Sequence, residues 1–112
     1  MTLIAALLLA GTQPALAKKG DCGWVHGRYV VSNGSMIHRI WVIGTHHELN
    51  LDIPDESIPT ALKHFYDAKR FRPFQTDMFA DFYVCARARH TPGRMQRVHL
   101  SRVKNVRIVD RH

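Results

Sequence analysis

The chain has 112 residues, of which 46% are hydrophobic and 22% charged, and 16 lysines and arginines face 9 aspartates and glutamates. This length corresponds to one modest domain, and no apolar run reaches the roughly 20 residues of a membrane-spanning helix. The formal net charge of +7 favours anionic partners such as nucleic acid, lipid head groups or acidic polysaccharide, and it equally serves solubility alone.

The N-terminal 17 residues differ in composition from the rest. Residues 3–10 form an unbroken apolar run, and Ala15-Leu16-Ala17 supplies the small-residue pattern of a cleavage site. We therefore predict a secretory signal peptide over residues 1–17, although its n-region lacks the usual positive charge, and one domain over residues 18–112. The alternative is a buried N-terminal helix or strand.

Cys22 and Cys85 are the two cysteines of the chain. In an oxidising compartment an isolated pair favours a disulfide. Closing so long a loop stabilises a fold by about 4 kcal/mol in the chain-entropy model. Zinc held by both cysteines and by histidines is the rival, but no C-x-x-C spacing supports it.

Two β-rich runs, residues 24–31 and 36–43, predict a hairpin. Asn33-Gly34 lies between them, and this dipeptide favours a type I′ turn because both of its central residues need positive φ. With that turn, Arg28 lies opposite Arg39. The face turned away from the predicted core then carries Trp24, His26, Arg28, Arg39 and Trp41.

The remaining chain continues with further strands and one helix. Strict alternation predicts a third strand around residues 46–53, and helical spacing of apolar residues predicts a helix from Ser57 to Lys69. We expect a loop over 70–78, a fourth strand over 79–86, and a fifth over 95–100 that could continue through 103–109. The order β-β-β-α-β-β is that of OB folds. We therefore predict a mainly β fold, a small five-stranded OB-like barrel with one helix, with an open β-sandwich as the alternative.

Three segments carry a resemblance to other proteins: the Asn33-Gly34 turn, the RIWVIGT run at 39–45, and the DFYVC run at 81–85. Together they resemble a group of small exported bacterial proteins that share an N-G turn, an R-I-W-x-x-G-T segment and a D-F-x-V-C strand. The similarity spans most of residues 22–109. It implies export, a compact β fold and a Gram-negative envelope location, and it transfers no catalytic residue.

The first candidate site, which we name the hairpin patch, consists of His26, Arg28, Arg39 and Trp41. Basic residues beside aromatic rings are how OB-like surfaces hold single strands, since charge follows phosphates while rings stack on bases. Two arginines opposite one another destabilise a sheet unless an anionic ligand or a nearby carboxylate offsets them. The alternative is that Trp41 belongs to the core, because a one-residue slip exchanges the two faces.

The second candidate is a metal site at His46 and Glu48. Residues two apart on a strand share a face, and imidazole with carboxylate suits zinc, copper or nickel. A further ligand such as His26 or His64 would have to come from elsewhere. No H-E-x-x-H spacing occurs, so an incidental role for these histidines is the competing interpretation.

The third candidate is a small secreted nuclease with one histidine as base and another as acid. His26, His38 and Asp81 are conceivable partners, but no spacing singles them out, and the chain has no G-x-S-x-G motif. We therefore predict no enzymatic activity and no cofactor.

A second basic region surrounds the predicted turn at Thr91-Pro92-Gly93. It either forms a solvated face or widens an anion-binding footprint. Its members are Arg87, Arg89, His90, Arg94 and Arg97.

These observations predict a non-catalytic binding or structural module in the periplasm or outside the cell. Its basic surface would hold an anionic envelope component or oligomer, with nucleic acid as one conceivable partner. A metal-binding protein and a secreted nuclease remain the alternatives.

Overall fold

The computed structural model describes residues 16–31, 37–53 and 58–111. The strands are β1 (Cys22–Val31), β2 (His38–Val42), β3 (Glu48–Leu51), β4 (Thr76–Ala86) and β5 (Gln96–Asp110). Between β3 and β4, a 3₁₀ turn (Thr60–Leu62) leads into one short helix, α1 (Lys63–Asp67). Within the described ranges, no helix is long and apolar enough to cross a membrane.

The five strands close into a barrel in the order β1-β2-β3-β5-β4, and β4 pairs back onto β1. β3 and β5 run parallel, and every other neighbouring pair is antiparallel. The prediction of a mainly β, five-stranded barrel with one helix is therefore confirmed.

Period-two alternation builds the barrel interior. Along β4 every second residue is buried, so one face of the strand points inward and the other outward. Tyr29 from β1, Ile40 from β2 and Leu49 from β3 are fully buried, and Leu62 of the 3₁₀ turn belongs to the same buried core. The largest interior side chains are Tyr29, Ile40, Leu49, Leu62, Met78, Phe82, Val84 and Val98.

The register of the β1–β2 hairpin differs from the prediction by two residues. Arg28 pairs with Trp41, and Val30 pairs with Arg39, so the predicted Arg28–Arg39 pairing is wrong. A shift of two leaves every side chain on its predicted face, because side chains alternate with a period of two, so the hydrophobic pattern cannot distinguish the two registers. The predicted turn at Asn33-Gly34 lies outside the described residues.

The helical segment is shorter than predicted. Lys69 has a left-handed backbone with φ of 57°, and the amides of Arg70 and Phe71 both donate to the carbonyl of Phe65. This arrangement ends a helix, because the chain turns back on its last carbonyls. The predicted N-cap, Ser57, lies outside the described residues.

The predicted loop over 70–78 is wrong at its C-terminal end, where β4 begins at Thr76. Thr76 and Asp77 pair with Asp110 and Val109 of β5, so long-range pairing extends both strands. β5 runs to Asp110 and contains two irregularities, one between Lys104 and Arg107, where Asn105 has a φ of 55°, and one between Leu100 and Arg102. One extra residue in one strand of a pair, a β-bulge, bends that strand without ending its pairing.

Cys22 and Cys85 form a disulfide between directly paired residues of β1 and β4, with Cα atoms 4.0 Å apart. The predicted disulfide is confirmed, and a zinc site on these two sulfurs is excluded. The disulfide links the start of β1 to the end of β4, two strands that are neighbours in the barrel.

The chain just before β1 packs against the barrel. Leu16 is 4% exposed, and Gln96 Nε2 donates to its carbonyl over 2.7 Å. The amide of His90 donates to the carbonyl of Ala17 over 3.2 Å. Residues 1–15 lie outside the described ranges, so the signal peptide stays a prediction. Cleavage after Ala17 would remove the contacts of both Leu16 and Ala17.

Candidate functional site

The hairpin patch lies on the outside of the barrel, where β1 and β2 pair. Arg28 forms an ion pair with Asp77, with Nε 3.3 Å from Oδ1, and Arg39 forms one with Glu48, with Nη1 2.8 Å from Oε1. Both carboxylates come from the neighbouring strands β4 and β3. The charges of these two arginines are therefore offset by nearby carboxylates, which was one of the two possibilities given above, the other being an anionic ligand.

Trp41 is half-buried on the outer face and is not part of the barrel core. Its Nε1 donates to the carbonyl of Thr45 over 2.6 Å, which ties the indole to the turn between β2 and β3. Trp41 pairs with Glu48 on one side and Arg28 on the other. The ring is therefore bordered by one ion pair on each side.

His26, the fourth member of the hairpin patch, belongs to a separate polar group. Its Nδ1 lies 2.9 Å from Oδ1 of Asp81, and Asn105 Nδ2 donates to Oδ2 of Asp81 over 2.8 Å. The hydrogen bond from Asn105, followed by that from His26, lowers the pKa of Asp81 below its usual range. Asp81 therefore stays ionised and holds His26 in place.

The three residues considered for a nuclease do not come together. His38 is 3% exposed and points into the barrel, where its Nδ1 hydrogen-bonds the hydroxyl of Tyr29, whereas His26 and Asp81 lie on the outer face. The Tyr29 hydroxyl also lies 2.8 Å from that of Tyr66. Burial lowers the pKa of His38 and raises the pKa of Tyr29. This interior group is a structural network that closes one end of the core.

His46 and Glu48, the predicted metal pair, line the same cleft at the end of β3. The Glu48 carboxylate already accepts from Arg39, and His26 and His64 do not line this cleft. Among the described residues, no three histidine, cysteine, aspartate or glutamate side chains are placed to hold a metal ion. The geometry therefore gives the metal hypothesis no third ligand.

A different outer surface, formed by β1, β4 and β5, carries the most regular arrangement of charge and aromatic rings. We name it the basic aromatic face. Strand pairing places Trp24, Tyr83 and Arg102 in one row across it, and Phe79 next to Arg107 in another. Its members are Trp24, Phe79, Tyr83, Arg102, Lys104 and Arg107.

Aromatic rings hold the cations of this face. Lys104 Nζ lies 4.0 Å from the ring centroid of Trp24, and Arg102 Cζ lies 5.3 Å from that centroid and 5.9 Å from that of Tyr83. Arg107 Cζ lies 5.0 Å from the centroid of Phe79. A cation within about 6 Å of a ring is attracted by the ring quadrupole, by about 0.5–1 kcal/mol at exposed sites.

No acid forms an ion pair with the cations of this face among the described residues, although Asp81 lies across the strand from Lys104 and is influenced by its charge. Within the described ranges, Arg102, Lys104 and Arg107 make no ion pair. The outer face of β4 carries two acids: Asp81 is bonded to His26 and Asn105, and Asp77 is paired with Arg28 and Arg111. The basic aromatic face therefore differs from the hairpin patch, in which a carboxylate occupies each arginine.

The sequence analysis missed this face, although one local signal was available. Val103 points inward, so Arg102 and Lys104 on either side of it point outward, as alternation in a strand requires. What the sequence does not show is that β5 lies next to β4, and β4 next to β1, so that these cations meet Trp24. That contact depends on long-range pairing.

A third feature, which we name the histidine cleft, opens between the β2–β3 turn and the loop that joins β4 to β5. It has a volume of about 500 Å³. The rings of His47 and His90 meet edge to face across it, with centroids 4.6 Å apart. Burial, followed by the nearby His90, lowers the pKa of His47. The polar lining consists of Arg39, His46, His47, Glu48, His90 and Arg94. The remaining lining residues are Pro92, Gly93 and Met95.

No protein-family model, curated protein or solved structure matches this chain. The resemblance to small exported bacterial proteins therefore stays a prediction, and the functional argument rests on the geometry of the three surfaces described above.

Proposed function

We propose that this protein is a non-catalytic binding module that holds a polyanionic oligomer on its basic aromatic face. One observation carries this proposal: Arg102, Lys104 and Arg107 lie on one surface, contact aromatic rings, and form no ion pair with a described residue. Unpaired cations on a shared surface are what an extended anion needs.

The aromatic rings contribute by positioning the cations. A long side chain loses rotamer freedom when it binds, at about 0.5–1.5 kcal/mol for each immobilised side chain. Lys104 over Trp24, and Arg107 over Phe79, are already restricted in this way before any ligand arrives. Part of the entropic cost of binding is therefore met by the folded protein itself.

The same contacts indicate how the ligand is recognised. Base stacking requires an exposed ring face, but Lys104 and Arg102 already lie over Trp24. We therefore expect recognition through phosphate, sulfate or carboxylate groups and little dependence on base identity. This favours an anionic component of the cell envelope as much as a nucleic acid.

The setting of this function is an exported OB-fold protein. The strand order, the closure of β1 onto β4 and the helix between β3 and β4 support the OB assignment. The Cys22–Cys85 disulfide supports an oxidising, extracytoplasmic location, and the predicted signal peptide over residues 1–17 would deliver the chain to the periplasm or the exterior.

The test is a salt titration of the oxidised protein against an oligonucleotide, an acidic polysaccharide and lipopolysaccharide. Binding at the face predicts that Arg102→Gln with Lys104→Gln lowers the slope of log K against log salt by about 2 for the oligonucleotide. The matched control is Lys19→Gln with Arg89→Gln, which removes the same charges from exposed positions outside the face. Equal losses in both double variants would show diffuse charge without a site.

A further inference from the structure

We propose that the histidine cleft binds a tetrahedral oxyanion, as a free or esterified phosphate or sulfate group, and that binding tightens as the solution becomes mildly acidic. The cleft shares no residue with the basic aromatic face. This site therefore goes beyond the proposed function and can fail independently of it.

Two chain segments fix the walls of the cleft before any ligand binds. On the β2–β3 side, the His47 amide donates to Thr45 Oγ1 over 2.9 Å, and the His47 carbonyl accepts from the Val42 amide over 3.0 Å. On the other side, the loop that carries His90 is held by Gln96 Nε2, which donates to the Ala88 carbonyl over 2.8 Å, and by the Arg94 amide, which donates to the Thr91 carbonyl over 3.1 Å. These contacts lie within residues 18–112, so both walls are fixed in the chain that remains after the predicted cleavage.

Nitrogen atoms at the cleft lack partners. Nε2 of His47 and Nε of Arg39 are buried without a hydrogen-bond partner in the described part of the chain. An unsatisfied buried polar group of this kind destabilises a fold by about 1–3 kcal/mol. An oxyanion seated in the cleft contacts the exposed His46 and Arg94, and a rotation of the His47 or Arg39 side chain toward it would give these nitrogens an acceptor.

The charge of the lining selects an anion over a metal cation. Arg39 and Arg94 face the single carboxylate of Glu48, so the cleft has an excess of one positive charge even with all three histidines neutral. Glu48 Oε1 accepts from Arg39, so a metal ion would compete with Arg39 for this carboxylate. A divalent cation would therefore enter against a positive field.

The pH dependence follows from the groups that line the cleft. These are the two arginines, Glu48 and three histidines, His46, His47 and His90, and imidazole is the kind of side chain among them that takes up a proton in mildly acidic solution. A bound oxyanion favours protonated histidine, so binding takes up protons and, by linkage, becomes tighter at lower pH. Sulfate is the informative probe because its own charge is constant over this range, unlike that of phosphate.

The experiment is a titration of the oxidised protein with sulfate, inorganic phosphate and a simple phosphomonoester. Calorimetry measures the affinity, and the NMR resonances of the histidine rings report their protonation. We expect saturable sulfate binding that is about tenfold tighter at about pH 5.5 than at about pH 7.5. Sulfate should raise the pKa of His47, which burial lowers in the free protein. Comparing phosphate with the monoester separates a free anion from an esterified one.

Replacing all three histidines, His46→Gln with His47→Gln and His90→Gln, should abolish the pH dependence. Arg94→Gln, on an exposed loop, should weaken binding at both pH values. The control is His64→Gln, an exposed histidine of α1 that does not line the cleft, and it should bind as the unmodified protein does. Arg102→Gln with Lys104→Gln should leave sulfate binding unchanged, which separates this site from the basic aromatic face. The proposal is overturned if sulfate gives no saturable response at the acidic pH, if the response is independent of pH, or if zinc binds in place of sulfate.

Discussion

The hairpin patch and the basic aromatic face are both built from arginines beside aromatic rings, yet their arginines have different neighbours. In the hairpin patch, Arg28 and Arg39 are paired with Asp77 and Glu48. On the basic aromatic face, Arg102 and Arg107 lie over rings and have no acidic partner among the described residues. The comparison shows that the residue across the strand decides whether a cation can bind an anion, whereas net charge does not.

The largest effect on stability is expected at Gly27 of β1, which pairs with β2 of the hairpin patch on one side and with β4 of the basic aromatic face on the other. A Cβ there would lie 2.5 Å from Ile40 Cγ2 and 2.7 Å from the Trp41 carbonyl oxygen, and Ile40 is fully buried. We expect Gly27→Ala to lower the free energy of unfolding by about 3 kcal/mol, because β1 must move away from β2. Urea unfolding measures this, with Gly23→Ala as the control, because Gly23 lies in the same strand and does not have a positive φ. A loss below about 1 kcal/mol would mean that β1 and β2 separate easily.

Removing the acids that pair with the hairpin patch should make its arginines available to bind an anion. Glu48→Gln with Asp77→Asn leaves Arg39 and Arg28 without carboxylates, so we expect polyanion binding to strengthen by about fivefold at low salt. Asp67→Asn with Asp110→Asn adds the same net charge at exposed positions and is the control. If both double variants bind equally well, then local pairing does not decide which arginines bind.

The two tryptophans offer a matched test at constant charge. Trp24 supports Lys104 and Arg102, whereas Trp41 contacts no described cation within ring distance. Trp24→Leu should weaken polyanion binding by about threefold, since the cations lose their cation–π contacts. Trp41→Leu should leave binding unchanged in the same fluorescence or calorimetric titration. A larger loss of polyanion binding for Trp41→Leu than for Trp24→Leu would indicate that the anion binds at the hairpin patch.

The smallest effect concerns the interior, where burial lowers the pKa of His38. The unfolded chain binds a proton near the ordinary histidine value of about 6.5, whereas folded His38 resists protonation. The unfolded state therefore binds more protons at acidic pH, and the free energy of unfolding falls as pH drops below about 6.5. Unfolding measured between about pH 7.5 and 5 checks this. His38→Gln should reduce the pH dependence, and an unchanged slope would assign it to other groups, such as His47.

Local patterning was sufficient to predict much of the fold. The alternation around Tyr29 and Ile40 predicts which residues of β1 and β2 face inward, and the structure places both in the core. Cys22 and Cys85 were predicted to pair, and they do. These features depend on the period of a strand or on there being only two cysteines, both of which can be read along the chain.

The remaining features depend on contacts between distant segments. The β1–β2 register was wrong by two because such a shift keeps the pattern of faces unchanged. The ion pairs of Arg28 and Arg39 involve β4 and β3, and Trp24 meets Lys104 only because β1, β4 and β5 lie side by side. Likewise, His47 and His90 come together through the closure of the barrel. Sequence patterns specify the faces of strands, and topology decides which faces become neighbours.

The most direct test compares two double variants that each remove two arginines. Arg102→Gln with Arg107→Gln changes the basic aromatic face, and Arg28→Gln with Arg39→Gln changes the hairpin patch, with equal changes in net charge. Both are titrated against one acidic polysaccharide and one oligonucleotide from about 50 to 200 mM salt. We predict at least about tenfold weaker binding for the first pair at low salt and less than about twofold for the second. Equal losses, or a larger loss for Arg28 and Arg39, would contradict the claim that the unpaired, ring-held cations form the binding surface.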